Sequence, residues 1–209
     1  SSIDPANASV TQGDVIDVSA DVTNTGDQSG SATVELTIDG SAASSQDVTL
    51  NGGETTTVTF TDVDTGGLSS GEHTHAVNAD GRSAEGTLTV QAPANVTVSN
   101  LDPTDASVTQ GDTLDVSADV ANAGDQSGSA NVTLTIGGDS IDSPNVTVDG
   151  GAGTTVTFSG VDTSELSPGN YTHTVSTKGS SVSGTLVVEA AGGGTQTDSG
   201  DGPGDGAGD

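Results

Sequence analysis

The chain has 209 residues, of which 30 are acidic and two basic, and carries a net charge of −28 at pH 7. Apolar residues make up 29%, with two Phe, one Tyr and no Trp, so any core is thin and aliphatic. That suits small β-modules better than one large catalytic domain. Arg82 and Lys178 are the two bases and form no basic patch, which excludes nucleic-acid binding. The lack of Cys excludes disulfide and thiolate–metal chemistry. No apolar run is long enough to cross a membrane, so membrane attachment would need a segment outside this sequence. A chain without Met that begins Ser1-Ser2 is expected to be a processed product or a fragment.

The carboxylates are scattered, which fits three readings: a disordered acidic segment, a protein that binds cations or a basic partner, and adaptation to molar salt. Alternation of Val and Thr between residues 3 and 190 argues against disorder. Molar salt accounts best for the excess. At about 1 M the Debye length is ~3 Å, and dense like charge no longer drives unfolding.

The chain repeats itself. Moving 98 residues along carries Thr11-Gln12-Gly13-Asp14 onto Thr109-Gln110-Gly111-Asp112, Phe60 onto Phe158 and His75 onto His173. No gap is needed from Ile3 to Val90, and roughly three in five positions are identical. In the first copy Ile16, Val18, Ala20 and Val22 alternate with polar residues, which predicts a strand with one buried face. The turn Asn24-Thr25-Gly26-Asp27-Gln28-Ser29-Gly30 follows, its glycines expected at positive φ and its Asn and Asp bonded to their own backbone. The next strand buries Val34, Leu36 and Ile38. A short strand ends at Val48-Thr49-Leu50, and Asn51-Gly52-Gly53 turns the chain. Thr56, Val58 and Phe60 face inward, and a loop from Thr61 to Gly71 precedes a strand with His73, His75 and Val77 on one face. Asp80-Gly81 closes a hairpin onto a strand ending Leu88-Thr89-Val90.

About seven short strands per copy predict an all-β chain of two tandem immunoglobulin-like β-sandwich modules. Module one spans residues 1–90, the linker 91–94, module two 95–190, and a disordered Gly/Asp-rich stalk 191–209. In module two Tyr171 has the setting of a tyrosine corner, where module one has His73. Module two opens with a good first strand, Asn95 to Leu101. Module one retains only Ser1-Ser2-Ile3 of its equivalent, so its sheet edge is either unpaired or completed by something upstream or by a neighbouring molecule.

The stretch NTGDQSGSATVELTIDG, the later Gly-Gly-x-Thr-Thr-Thr-Val-Thr-Phe and the Ser-Gly-Glu-His-Thr-His approach resemble the CARDB family, across residues 3–90 and 101–188. These are cell-adhesion-related, immunoglobulin-like domains of bacterial and archaeal surface proteins. The resemblance implies extracellular display and adhesion and brings no catalytic residues. The acidic composition and the Gly-Asp-Gly-Pro-Gly-Asp-Gly-Ala-Gly-Asp tail are similar to haloarchaeal surface proteins, where such a stalk precedes a sorting signal and membrane helix.

Asn-x-Ser/Thr sequons stand at Asn7, Asn95, Asn131, Asn145 and Asn170. Alternation points the last four to solvent, where glycans fit, although such sequons also arise readily by chance in a Thr-rich chain. His73 and His75 offer a His-x-His pair for zinc or copper, against a packing role. Asp62 and Asp64 with Glu72, and Asp162 with Glu165, offer oxygens to Ca²⁺, against diffuse cation association. No cofactor is expected, and no nucleophile elbow marks an enzyme. The sequence is therefore read as a non-enzymatic ectodomain, a stiff glycosylated spacer or adhesion module. Its expected partners are other surface proteins, glycans or copies of itself. Two alternatives are a filament subunit assembled by β-strand complementation and an accessory module of a larger secreted enzyme.

Overall fold

The computed structural model describes residues 2–192, and every element in it is a β-strand. From residue 193 onward the expected stalk lies outside the described residues.

Module one contains β1 (Ile3–Asp4), β2 (Asn7–Thr11), β3 (Val15–Thr23), β4 (Gly30–Ile38), β5 (Ser41–Leu50), β6 (Thr55–Asp64), β7 (Gly71–Ala79) and β8 (Arg82–Gln91). They form two sheets, β1-β3-β6 and β2-β8-β7-β4-β5. The alternating residues meet between the sheets. Val18, Ala20, Val58 and Phe60 pack from one side, and Val34, Leu36, Val77, Leu88 and Val90 from the other. The Asp80-Gly81 hairpin forms as expected, with both residues at positive φ (47° and 75°), the signature of a tight primed turn.

Module two repeats the arrangement with β9 (Val96–Asp102), β10 (Asp105–Thr109), β11 (Thr113–Asn122), β12 (Gly128–Asn131), β13 (Thr133–Ile136), β14 (Asp139–Asp142), β15 (Asn145–Val148), β16 (Gly153–Asp162), β17 (Gly169–Thr177) and β18 (Ser180–Glu189). β4 and β5 of module one are each split in two here. The break falls at Pro144, which has no N–H to give the ladder and whose carbonyl accepts the N–H of Val132 at 2.9 Å.

The N-terminal strand of each module changes sheets. β1 runs antiparallel to β3, then β2 runs parallel to β8 on the opposite sheet, and β9 and β10 do the same with β11 and β18. A buried histidine holds each crossover. The Nε2–H of His75 donates to Pro5 O at 2.8 Å, and that of His173 to Pro103 O at 2.8 Å. Each ring lies over a glycine on the paired strand. A Cβ at Gly86 would stand 2.6 Å from the His75 ring and one at Gly184 2.7 Å from the His173 ring, so the residue there must be glycine. The Thr-Gln-Gly-Asp motif has a comparable task. Gln12 donates to Leu68 O at 2.6 Å and Gln110 to Leu166 O at 2.9 Å, fastening the start of β3 and β11 to the loop after β6 and β16.

Three sequence expectations need correction. β6 does not stop at Phe60 but runs through Asp64: the register with β3 slips between Ile16 and Val18, and Asp62 (φ 55°) absorbs the slip, bringing Val63 inside. β5 is a full ten-residue strand, not a short one ending in Val48-Thr49-Leu50. As an edge strand with Ser41 to Asp47 all exposed, it shows no alternation. The glycines of the Asn-x-Gly-Asp-Gln-Ser-Gly turn are not among those with positive φ; their role is close approach, described next.

Candidate functional site

The most elaborate polar construction in the molecule is the turn after β11. Asn122 is 2% exposed, and its side chain uses all its hydrogen-bonding capacity. Nδ2 donates to Gln126 O at 2.7 Å and Val148 O at 3.0 Å, and Oδ1 accepts from Gly124 N at 3.1 Å and Asn95 N at 2.9 Å. The turn also grips the linker. Asp125 Oδ2 accepts from Ala92 N at 2.7 Å, and the Asp125 and Gln126 N–H groups donate to Ala92 O at 3.0 and 3.3 Å. Gln126 Nε2 bonds the Gln91 side chain. Two glycines make room. A Cβ at Gly124 would overlap the Pro93 carbonyl, and one at Gly128 would lie 2.5 Å from the Ala94 methyl. Beyond the linker, β9 pairs antiparallel with β11 and adds Val98 and Leu101 to the core, with Val96 packed against it.

Module one carries the same turn, and among the described residues nothing of that kind rests on it. Asn24 donates to Gln28 O at 2.8 Å and Leu50 O at 3.0 Å and accepts from Gly26 N at 3.0 Å. It lacks the fourth bond and is only half-buried. Positions Gly26 and Gly30 are uncrowded: added Cβ atoms would meet only the Asn24 side chain, at 3.4 and 3.8 Å. β1 pairs with Ala20 and Ser19 of β3, and among the described residues nothing pairs with the edge beyond. There a groove of about 190 Å³ descends between the sheets, lined by Val22, Ala32, Val48, Leu50, Val77 and Ala79 among others, with Arg82 at its side. Val22 is half-buried, whereas its counterpart Val120 is fully buried beneath β9. The Ser1-Ser2-Ile3 remnant flagged this edge in the sequence; the docking role of Gly-Asp-Gln-Ser-Gly left no local signal.

The other candidate residues fall as follows. All five sequon asparagines are exposed. Asn131 and Asn145 stand directly opposite on β12 and β15 and bond each other at 2.8 Å, where module one has Thr33 bonded to Asp47 at 2.6 Å. His73 and His75 share a strand face but have separate partners, and His75 is sealed in the core. The loop carboxylates cap turns. Asp64 accepts from Gly66 N at 2.8 Å, and Asp162 accepts from both the N–H and hydroxyl of Ser164, which hold it below the usual carboxylate range. The N–H of Asp62 donates to Asp17, and Glu72 and Glu165 are exposed. Among the described residues, no three His, Asp or Glu side chains gather to hold a metal ion.

Two mainly antiparallel sheets joined by a sheet-switching first strand, given twice, define tandem immunoglobulin-like β-sandwiches, an architecture of structural and binding modules. Residues 2–85 match the CARDB family model, and the second module repeats the first in sequence and topology. Among solved structures, the fibronectin(III)-like modules of Clostridium thermocellum CbhA match at 18% identity, over 90% of this chain and 94% of that one, with a TM-score of 0.34. The titin I9–I11 tandem matches at 11% identity, over 88% of this chain and 63% of that one, with a TM-score of 0.39. The N-terminal four Ig domains of Dscam1 isoform 6.9 match at 17% identity, over 89% and 44%, with a TM-score of 0.29. The chain thus spans less than two thirds of the last two, and these likenesses concern architecture alone. No curated protein matches the chain.

The corner before the sixth strand differs between the copies. Tyr171 OH donates to Ser167 O at 2.9 Å, as a tyrosine corner does. In module one His73 Nε2 meets Ser69 O at 2.8 Å and Nδ1 meets Asp39 Oδ2 at 2.6 Å. Both partners only accept, so the arrangement favours the doubly protonated ring. The Asp39 carboxylate first, and the Ser69 carbonyl second, raise the His73 pKa above its ordinary 6.5. In turn His73, and then the Thr74 N–H, lower that of Asp39. Because folded His73 holds its proton more tightly than the unfolded chain does, its contribution is complete below about pH 6.5. It is lost as pH rises through the higher folded value. Asp39 adds stability above its unfolded pKa and loses it as pH falls through the lower folded one. Module one should therefore melt at lower temperature as pH rises above about 6.5, and His73→Tyr should abolish that slope. Equal slopes in the parent and the variant would contradict this.

Proposed function

We propose that the chain is a non-catalytic ectodomain at the surface of a halophilic archaeon, a glycosylated spacer or adhesion unit that works by reach and contact. The observation that carries this reading is the joint between the modules. Ala92, in the middle of a four-residue connection, has both its N–H and its carbonyl bonded to Asp125 and Gln126, and Pro93 and Ala94 rest on Gly124 and Gly128. A linker fixed to its neighbour at every residue limits hinge motion, which a spacer needs and a loose tether lacks. The surface composition supports the habitat. A charge of −28 on a thin aliphatic core is tolerable where salt screens it. Exposure of all five sequon asparagines supports glycosylation, concentrated on module two.

Protein made in a halophilic archaeal host tests both parts. In molar salt it should give a β-sheet circular dichroism spectrum with a cooperative melt, and dialysis into dilute buffer should abolish both. A spectrum indifferent to salt would remove the halophilic reading. Intact mass should exceed the sequence mass by glycan increments, and an unmodified mass would remove the glycoprotein reading.

A further inference from the structure

We propose that the open groove of module one is the seat of a linker and first strand of the Gln91–Leu101 kind, entering directly ahead of Ser2 from a preceding module of the same polypeptide. The inference extends the spacer reading to a longer array of modules. It stands on the groove and its turn alone, so its failure leaves that reading in place.

Four observations converge. First, the groove lies where β9 lies in module two: Val96, Val98 and Leu101 fill that position against β11, and Ile3 alone stands for them in module one. An incoming strand with apolar residues at the Val96 and Val98 positions would complete the core and pair with the free edge beside Asp21, Val22 and Thr23.

Second, the polar receptor is complete before anything occupies it. Asn24 Oδ1 accepts one bond where Asn122 Oδ1 accepts two, the second from Asn95 N. The N–H groups of Ala123, Asp125 and Gln126 bond Asn95 O and Ala92 O. The N–H groups of their counterparts Thr25, Asp27 and Gln28 make no such bond among the described residues, in an identical Gly-Asp-Gln-Ser-Gly sequence.

Third, Gly26 and Gly30 have no steric or dihedral need to be glycine in module one as it stands. The same two positions in module two are glycine because Pro93 and Ala94 press on them. Glycine weakens a folded chain where nothing requires it, so an approaching backbone accounts for both residues.

Fourth, the direction is set. β1 pairs Asp4 with Ser19 as β9 pairs Asp102 with Ser117. Chain leading into Ile3 therefore already points along the groove. One difference specifies the occupant further. Ser180 bonds both the N–H and the carbonyl of Val98, at 3.2 Å each, whereas Arg82 takes the Ser180 place in module one and offers donors only. The occupant thus presents carbonyl or carboxylate oxygens to Arg82.

The test is a graft. The sequence Gln91–Asn100 is placed directly before Ile3 in the full chain, replacing Ser1-Ser2, and amide exchange is followed by NMR in molar salt. Exchange at Thr25, Asp27 and Gln28 should slow by at least about tenfold, toward the rates of Ala123, Asp125 and Gln126. Changing the grafted copies of Val96 and Val98 to Asp should restore fast exchange. Gly26→Ala should also restore it in the grafted chain, while leaving the melting temperature of the ungrafted chain unchanged. Unchanged exchange in the graft, or protection that survives the two Asp substitutions, would overturn the proposal. So would a free Gln91–Leu101 peptide that protects these amides in the ungrafted chain while the tethered copy does not, because the groove would then belong to a separate molecule.

Discussion

One side chain holds the architecture of module two together. Asn122, the last residue of β11, lies where the end of β15, the turn and the residue ahead of β9 meet, and its amide makes two bonds to the turn and one to each of the others. A buried amide left unpaired costs about 1–3 kcal/mol, so a fully satisfied one fixes the relative positions of the backbones it joins. The linker is gripped at Gln91 and Ala92 because this turn has a fixed shape. The four aligned bonds convert a common β-turn into a receptor for the chain arriving from the preceding module.

The two copies then differ where their surroundings differ. Their cores use the same alternating Val, Leu and Ile positions, and their crossovers use the same His–Gly pair. The corner before the sixth strand is tied by a hydroxyl in one and by an imidazole–carboxylate pair in the other. On the β12–β15 face, a Thr–Asp pair in module one gives way to two facing sequon asparagines in module two. The exposed pairs differ between the copies while the buried core positions and the His–Gly crossovers are shared. That is the pattern expected when packing limits the interior and solvent does not limit the exterior.

Much of this was legible in the sequence because period-two alternation is a direct consequence of strand geometry. Alternation places Val18, Ala20, Val34, Leu36, Val58 and Phe60 inward, and all six are buried. Legibility failed where the physics is not local. β5 is an edge strand without a buried face over Ser41 to Asp47, so its sequence resembles a loop. The register slip that carries β6 on to Asp64 depends on its partner strand. The turn glycines were assigned to positive φ, the commonest reason for glycine in a turn, but their reason is the passage of Pro93 and Ala94, remote from the turn in sequence. Of the candidate sites, the incomplete first strand could be read from Ser1 to Ile3. The groove behind it could not, since it is made by residues on five strands.

The central claim is that the Asn-anchored turn is a strand receptor, occupied in module two and open in module one. Native-state hydrogen exchange in molar salt, read separately for the two modules in Asn122→Ala and Asn24→Ala, tests it most directly. Loss of the four-bond anchor should lower module two's opening free energy by about 2–4 kcal/mol, and loss of the half-buried three-bond anchor should cost module one about half as much. Equal losses in the two modules, or a negligible loss at Asn122, would contradict the account.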